Sequence, residues 1–253
     1  MASRSRSLKA TVLTLTEFGE GHREALLLTE SEGLLRAAVF GGAKSKLRGL
    51  VAPYQTGVAW LYSDPVKKSH KITDFDVTAW RPAIRESLVR TWCAALCAEL
   101  CSRTHGTADW VLVNGFLDGI DRSSDAECRR GLLRFLWRIL SHAGVAPDLS
   151  ACARCCRIGT AVGQNGENEV LYYSPYEDAC LCALCARAEE RNFPIPAEAA
   201  AYLRATADRE AREARALSLG PESEAALRNF LFFLASRLVG GSLRAVETGE
   251  GII

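Results

Sequence analysis

Two Cys-x-x-Cys pairs constrain the fold of this chain more than any other feature of its sequence. Cys152 and Cys155 form the first pair, and Cys182 and Cys185 form the second. Two thiolate pairs on tight turns supply the four tetrahedral ligands that Zn²⁺ prefers in structural sites. The sequence predicts an irregular stretch from about residue 147 to 186, in which the segment from Gly159 to Glu169 is polar and lacks a periodic apolar pattern. We therefore expect one zinc ion, bound by these four cysteines, to stabilise a module that packing alone would not hold.

Other arrangements of the cysteines stay open at this stage. Cys156 and Cys180 lie beside the two pairs and could each replace a neighbour, and four reduced thiols in a loop are the alternative to a metal site. Protein thiolates fill all four predicted ligand positions, which favours a structural ion over a catalytic one. Cys93, Cys97 and Cys101 recur every fourth residue on a predicted helix, where free cysteine more often lines a core than binds a metal.

Composition places the chain among globular proteins. Of its 253 residues, 48% are hydrophobic and 24% are charged, which is typical of globular domains and unlike disordered or collagen-like chains. No apolar run approaches the roughly 18 residues that a transmembrane helix needs, and no apolar stretch follows the polar N-terminus as in a signal peptide. We expect a cytoplasmic protein with reduced thiols and no membrane contact.

The hydrophobic pattern changes its period near residue 80. Before this point, five short β-type segments lie between Gly, Asp, Ser and Pro residues, at 8–16, 23–29, 34–41, 57–62 and 71–78. Five short strands in such a short stretch predict a small closed barrel. Beyond it, apolar residues recur at helical spacing over 82–106, 110–117, 124–144, 197–207 and 221–240. The sequence predicts an α+β fold with a barrel domain over 1–80 and an α-helical domain over 81–253, into which the module over 147–186 is inserted.

Positive charge is concentrated towards the N-terminus, although the net charge of the chain is only +1. Residues 1–80 hold 11 Lys and Arg against 8 Asp and Glu, whereas residues 151–253 hold 11 against 14. Lys44, Lys46 and Arg48 alternate in a glycine-flanked loop between two predicted strands. This pattern projects cations towards a sugar-phosphate backbone. An ordinary solvated loop is the alternative interpretation.

Aromatic residues and an arginine row add two weaker signals. Tyr54, Trp60 and Tyr62 could stack on bases, but aromatic residues on alternating strands are more often packed, so we expect them in the barrel core. A row of arginines recurs every fourth residue on the predicted helix over 124–144, on the face opposite its leucines: Arg130, Arg134 and Arg138. Such a row is usually a solvated face.

Catalytic motifs are not found in the sequence. The four histidines share no local motif with a nucleophile or a carboxylate. The segment from Gly41 to Ser45 departs from the phosphate-binding pattern G-x4-G-K-[ST], and no G-x-G-x-x-G turn follows a predicted strand. The sequence therefore gives no support for a nucleotide cofactor.

Four motifs follow one another along the chain in a distinctive order. They are G-L-L-R-A-A-V-F-G-G from Gly33, K-S-K-L-R-G-L-V-A-P-Y from Lys44, Y-S-P-Y from Tyr173, and F-L-F-F-L-A-S-R-L-V-G-G-S-L-R from Phe230. In this order they resemble the bacterial RecO family of recombination mediators. The resemblance implies an N-terminal five-stranded OB-fold barrel, an α-helical domain with a zinc-binding module, and no turnover of a small substrate. Phe40 stands where members of that family often carry a basic residue.

The resemblance also implies partners. Family members bind single- and double-stranded DNA, anneal complementary strands, contact the acidic C-terminal tail of single-strand binding protein (SSB), and work with RecR to help load RecA recombinase. Because Phe40 is not basic, the predicted DNA contacts are Arg36 and the loop cations Lys44, Lys46 and Arg48.

The arginine row of residues 130–138 is then a candidate groove for the acidic SSB tail, since cations and an apolar pocket would suit its carboxylates and terminal ring. The resemblance places such a protein in the bacterial cytoplasm, associated with the nucleoid. The alternative function is a zinc-stapled scaffold that acts through protein contacts and has only incidental DNA affinity. The near-neutral net charge favours this alternative slightly.

Overall fold

The computed structural model describes residues 5–19, 21–41, 45–104, 109–157, 170–207 and 209–253. Contacts divide the chain into two compact units, of which the first comprises Met1–Asp125 with Glu247–Ile253 and the second comprises Ala126–Val246. The domain boundary that the sequence indicates near residue 80 stays a prediction. Within the described ranges, no helix combines the length and apolar character needed to cross a bilayer.

Five strands of the first unit close into a barrel, as the sequence predicts. They are β1 (Ser5–Phe18), β2 (His22–Thr29), β3 (Gly33–Val39), β4 (Thr56–Asp64) and β5 (Ser69–Ala79). Their order around the barrel is β1-β2-β3-β5-β4. The pair β3–β5 is parallel and the other neighbours are antiparallel. The predicted OB-fold barrel is confirmed.

The interior of the barrel is filled by alternating small and medium apolar side chains. Along β4, Ala59 and Leu61 are buried, while the residues that alternate with them are exposed or only half-buried. A short helix, α1 (Leu47–Leu50), connects the third and fourth strands, and Leu47 is buried in the same core cluster. The predicted basic loop is therefore continued by a segment that is anchored in the barrel core.

A 3₁₀ helix and two α-helices follow the barrel in the first unit. A 3₁₀ helix (Pro82–Glu86) precedes α2 (Leu88–Arg103), and α3 (Trp110–Asp121) follows. The single helix predicted over 82–106 is thus interrupted, because Ser87 is extended and its hydroxyl accepts a hydrogen bond from the backbone N–H of Arg90. The three cysteines of α2 are buried, as expected of core-lining thiols: Cys93, Cys97 and Cys101.

A buried arginine connects the barrel to α3. Arg81 has a left-handed φ of 48°, and its side chain is only 3% exposed. Its guanidinium donates to four oxygens: Asp118 Oδ1 at 2.7 Å, the Tyr54 carbonyl at 2.7 Å, Thr56 Oγ1 at 2.7 Å and Asn114 Oδ1 at 3.0 Å. The Asn114 oxygen also accepts hydrogen bonds from the hydroxyls of Thr11 and Thr56. This network fixes β1 and β4 against α3.

The second unit combines helices with a small sheet. Its main helices are α4 (Asp125–His142), α5 (Ala197–Thr206), α6 (Ala211–Arg215) and α7 (Pro221–Leu238), and the short α8 (Arg244–Thr248) begins at its C-terminal end and extends past Val246. Three strands form the sheet in the order β7-β6-β8: β6 (Val170–Ser174), β7 (Ala179–Cys182) and β8 (Pro194–Pro196). The expectation that the stretch over 147–186 is irregular is wrong for β6 and β7. These strands are too short for a clear alternation, and Tyr173 of β6 is fully buried against Phe230 of α7.

Candidate metal centre and nucleic-acid interface

The four cysteines of the two Cys-x-x-Cys pairs lie together, as predicted. The Sγ atoms of Cys152, Cys155, Cys182 and Cys185 are all within 4.8 Å of one another. Each pair sits on a tight turn, since the N–H of Cys156 donates to the carbonyl of Cys152 at 2.8 Å and the N–H of Cys185 donates to that of Cys182 at 3.0 Å. Four sulfur atoms at this separation could hold one metal ion.

The surroundings of the sulfurs differ within the predicted set, since hydrogen bonds with Cys155 and Cys182 raise the pKa of Cys185 to about 12. Burial acts to raise the pKa of Cys152, but backbone N–H groups of Cys182, Cys155 and Arg154 donate to its sulfur and lower the pKa to about 6. A thiolate is the form that binds a metal. Burial raises the pKa of Cys180, which lies outside the four-cysteine group, to about 12. Cys156 is exposed and stands at a left-handed φ of 57°.

Arg154 lies between Cys152 and Cys155, and its hydrogen bonds connect several segments of the module. Its guanidinium bonds to Glu177 in the turn after β6, to Glu190 at 2.7 Å, and to the carbonyl of Cys185. Glu190 is buried and also accepts a hydrogen bond from the hydroxyl of Ser174 at 2.9 Å. Sequence reasoning missed these residues, because charged partners so far apart in the chain leave no local pattern.

The predicted DNA-binding cations occupy two places on the barrel. Arg36 points outward from β3 and pairs with Glu24 at 2.7 Å, and its side chain is 66% exposed. Lys46 lies at the start of α1 and pairs with Asp74 at 2.9 Å, with its side chain 70% exposed. Lys44 falls outside the described residues. These ion pairs are solvent-exposed, and exposed ion pairs contribute little to stability.

Arg48 has a neighbour that sequence reasoning missed. Arg23, at the start of β2, donates to the carbonyls of Leu47 and Arg48, both at 3.4 Å. Burial, followed by the positive charge of Arg48, lowers the pKa of Arg23. Two arginine side chains whose charges act on one another in this way create a positive potential that attracts an anion. The contact joins Arg23 of β2 to Arg48 of α1, so the sequence gives no periodic signal for it.

Two of the three aromatic residues assigned to the barrel core lie on its outside. Trp60 is 45% exposed and Tyr62 is 37% exposed, both on the outward face of β4. The expectation of core packing is wrong for these two residues, because a five-stranded barrel has a small interior that Ala59 and Leu61 already occupy. The Nε1 of Trp60 donates to Asp76 at 2.7 Å. Burial raises the pKa of Tyr54 to about 12, as expected for a packed phenol.

The arginine row on α4 has partners within the second unit. Arg130 pairs with Glu127 at 3.1 Å. Arg134 is buried, donating to the hydroxyl of Tyr202 at 2.6 Å and pairing with the same glutamate. Arg138 donates to the carbonyl of Thr206 at 3.0 Å, at the end of α5. The row therefore fastens α4 to α5 and is not a fully solvated face; its role towards a partner stays a prediction.

Comparison with known proteins places this architecture in a family. Residues 85–247 match the family model described as Recombination protein O C terminal. The chain is 30% identical over 235 residues to a DNA repair protein RecO of Anaeromyxobacter sp. (strain K), covering 88% of this chain and 89% of the relative. It is 26% identical over 245 residues to a DNA repair protein RecO of Myxococcus xanthus, covering 94% of each.

The fold, the four-cysteine group and these relatives define a class of DNA repair protein that joins an OB-fold barrel to a helical region with a candidate metal centre. Within that class, the chain belongs to the RecO family. The resemblance found in the sequence motifs is thereby confirmed.

Proposed function

We propose that this protein is a recombination mediator that binds single- and double-stranded DNA and anneals complementary strands. With RecR, it would help load RecA recombinase onto SSB-coated DNA, acting in the cytoplasm at the nucleoid. The observation that carries the DNA-binding part is the position of Lys46 and Arg48. Both belong to a segment that Leu47 anchors in the barrel core, and Arg23 adds a further cation.

The proposed contacts run to the sugar-phosphate backbone, through Arg36, Lys44, Lys46 and Arg48. Annealing requires that the pairing edges of the bases stay free, so cations that hold phosphates suit it better than a base-specific pocket. The carboxylates of Glu24 and Asp74 hold Arg36 and Lys46 only through exposed ion pairs. Phosphates can replace them at little cost, because such pairs contribute little stability.

Removing the loop cations tests this proposal through the salt dependence of binding. We expect the triple variant Lys44→Ala, Lys46→Ala, Arg48→Ala to bind single-stranded DNA more weakly than the wild type. The slope of log affinity against log salt should become shallower by about 2, since each lost phosphate contact on a single strand removes roughly 0.7. Fluorescence anisotropy at several salt concentrations measures this slope.

A matched control removes three arginines from the exposed, highly charged stretch of the second unit: Arg209→Ala, Arg212→Ala and Arg215→Ala. This variant loses the same charge and should keep the wild-type slope. If the loop variant instead kept the wild-type slope, the DNA contacts assigned to the loop would be wrong. The scaffold function would then gain support, as would a DNA surface on the helical region.

The four-cysteine group is proposed to bind one structural Zn²⁺. Four thiols at mutual sulfur distances within 4.8 Å fit the closed, tetrahedral site of a structural zinc ion. The ion would supply folding free energy to the module, because a ligand set of this kind is not preformed in the unfolded chain.

The arginine row on α4 is proposed to contribute to binding the acidic tail of SSB, chiefly through Arg130, whose side chain is 29% exposed. We expect Arg130→Glu to weaken the binding of an acidic tail peptide several-fold, because it replaces an attraction for carboxylates with a repulsion. Isothermal titration calorimetry measures the affinity, and circular dichroism checks the fold. If the folded variant bound the peptide with unchanged affinity, Arg130 would have only a structural role and the proposal would be wrong. Arg134→Glu is a poor test, since burying that charge would disrupt α4 and α5.

A further inference from the structure

An aromatic cluster lies on the barrel where β1 ends, β2 begins and β3 ends. The rings of Phe18 and Phe40 are each 41% exposed, and their centroids are 6.3 Å apart. The imidazole of His22 contacts both, with centroids 5.9 Å from Phe18 and 5.0 Å from Phe40. The Nζ of Lys71, on β5, lies 5.1 Å from the centroid of the Phe40 ring. We refer to Phe18, His22, Phe40 and Lys71 as the Phe18–Phe40 cluster.

The cluster combines features that a buried packing contact does not need. A single exposed apolar side chain is ordinary, but here two phenylalanine rings and a lysine share one exposed surface. Lys71 lies within the range of a cation–π contact, which leaves its ammonium group beside an exposed aromatic face. An aromatic face next to a cation matches the two parts of a nucleotide, its base and its phosphate.

The surroundings of the cluster favour the same ligand. Arg23 follows His22 on β2 and lies beside Arg48. Arg36 and Phe40 both point outward on the β3 side of the barrel, four residues apart along the chain, which corresponds to roughly 13 Å. A DNA strand that runs along the barrel surface from the cluster towards Arg36 would contact a further cation. The nearby carboxylate of Glu24 forms an ion pair with Arg36, with an N···O distance of 2.7 Å.

We propose that the Phe18–Phe40 cluster stacks on a nucleobase of single-stranded DNA, while Lys71 contacts an adjoining phosphate. The inference rests on the proposed function, because single-stranded DNA must bind the barrel before one of its bases can stack there. Stacking on an aromatic face is tolerant of sequence, since every base has a π-face. One stacked base would therefore add affinity for single strands and leave neighbouring pairing edges exposed for annealing.

The experiment compares two probes, an oligothymidylate and an abasic oligonucleotide with the same number of phosphates. The full-length wild type should bind the base-bearing probe more tightly, by a factor of roughly 5 to 150, as expected for one aromatic–base stack. The double variant Phe18→Leu, Phe40→Leu keeps apolar side chains but removes both rings. It should bind the two probes with nearly equal affinity and keep the wild-type salt slope.

Two further variants sharpen the result. Phe40→Tyr retains a ring and should preserve most of the preference for bases, whereas Tyr176→Leu, which removes a 78% exposed ring from the second unit, should leave the preference unchanged. A double variant that still distinguishes the probes would overturn the inference, and so would a wild type that binds both equally. If the loop variant in that case still changed the salt slope, only the stacking site would fail. If the loop variant also had no effect, the proposed function would fail as well.

Discussion

The Cys182→Ser variant is expected to lose stoichiometric zinc and to unfold the region around residues 147–186. A structural zinc ion supplies on the order of 10–16 kcal/mol of apparent binding free energy in zinc-finger peptides, and this free energy stabilises the folded state. The effect should be local, because β7 and the turn that carries Cys182 belong to the small sheet of the second unit. Elemental analysis measures the metal, and limited proteolysis reports the unfolded segment.

The neighbouring Cys156 provides the matched control for this experiment. It is exposed and lies beside Cys155, yet the four-sulfur group does not include it. Cys156→Ser should therefore retain one zinc ion per chain and resist proteolysis like the wild type. Purified, unchelated wild-type protein without stoichiometric zinc would contradict the assignment. A Cys156→Ser variant that lost metal as completely as Cys182→Ser would contradict the ligand set.

Replacing Arg81 by alanine is expected to cause the second large effect, a loss of about 3 kcal/mol in the free energy of unfolding of the first unit. The buried guanidinium satisfies oxygens of Asn114 and Thr56 and the carbonyl of Tyr54. Its removal would leave these groups short of donors and open a cavity between β4 and α3. Urea unfolding, followed by tryptophan fluorescence and circular dichroism, measures the change.

Arg85 is the appropriate comparison, because it lies four residues further along and makes one exposed hydrogen bond to the carbonyl of Pro53 at 3.1 Å. Arg85→Ala should cost less than about 1 kcal/mol. Equal losses in the two variants would show that Arg81 does not act as a buried connection between the barrel and α3.

Local sequence patterns were sufficient for the features that depend on neighbouring residues. The five barrel strands follow from short β-type runs between turn residues, and the grouping of the four cysteines follows from their Cys-x-x-Cys spacing. The helix over α7 begins at Pro221 and ends at Leu238, close to its predicted limits, because proline and glycine mark its two ends.

Features that depend on distant residues could not be predicted in this way. Trp60 faces outward because other side chains already fill the small barrel interior, which alternation alone does not reveal. Arg134 is buried because Tyr202, far along the chain, offers it a hydroxyl. The pairing of Arg23 with the carbonyl of Arg48 likewise depends on how β2 and α1 meet in three dimensions. Each case needs tertiary contacts that no periodicity encodes.

The rate of annealing of complementary DNA strands tests the central claim most directly. The account predicts that the wild-type protein accelerates annealing of two labelled oligonucleotides at low salt. It also predicts that the variant lacking Lys44, Lys46 and Arg48 loses most of this acceleration, while the arginine control on the second unit retains it. A wild-type protein that anneals no faster than the strands alone, or a loop variant as active as the wild type, would contradict the account.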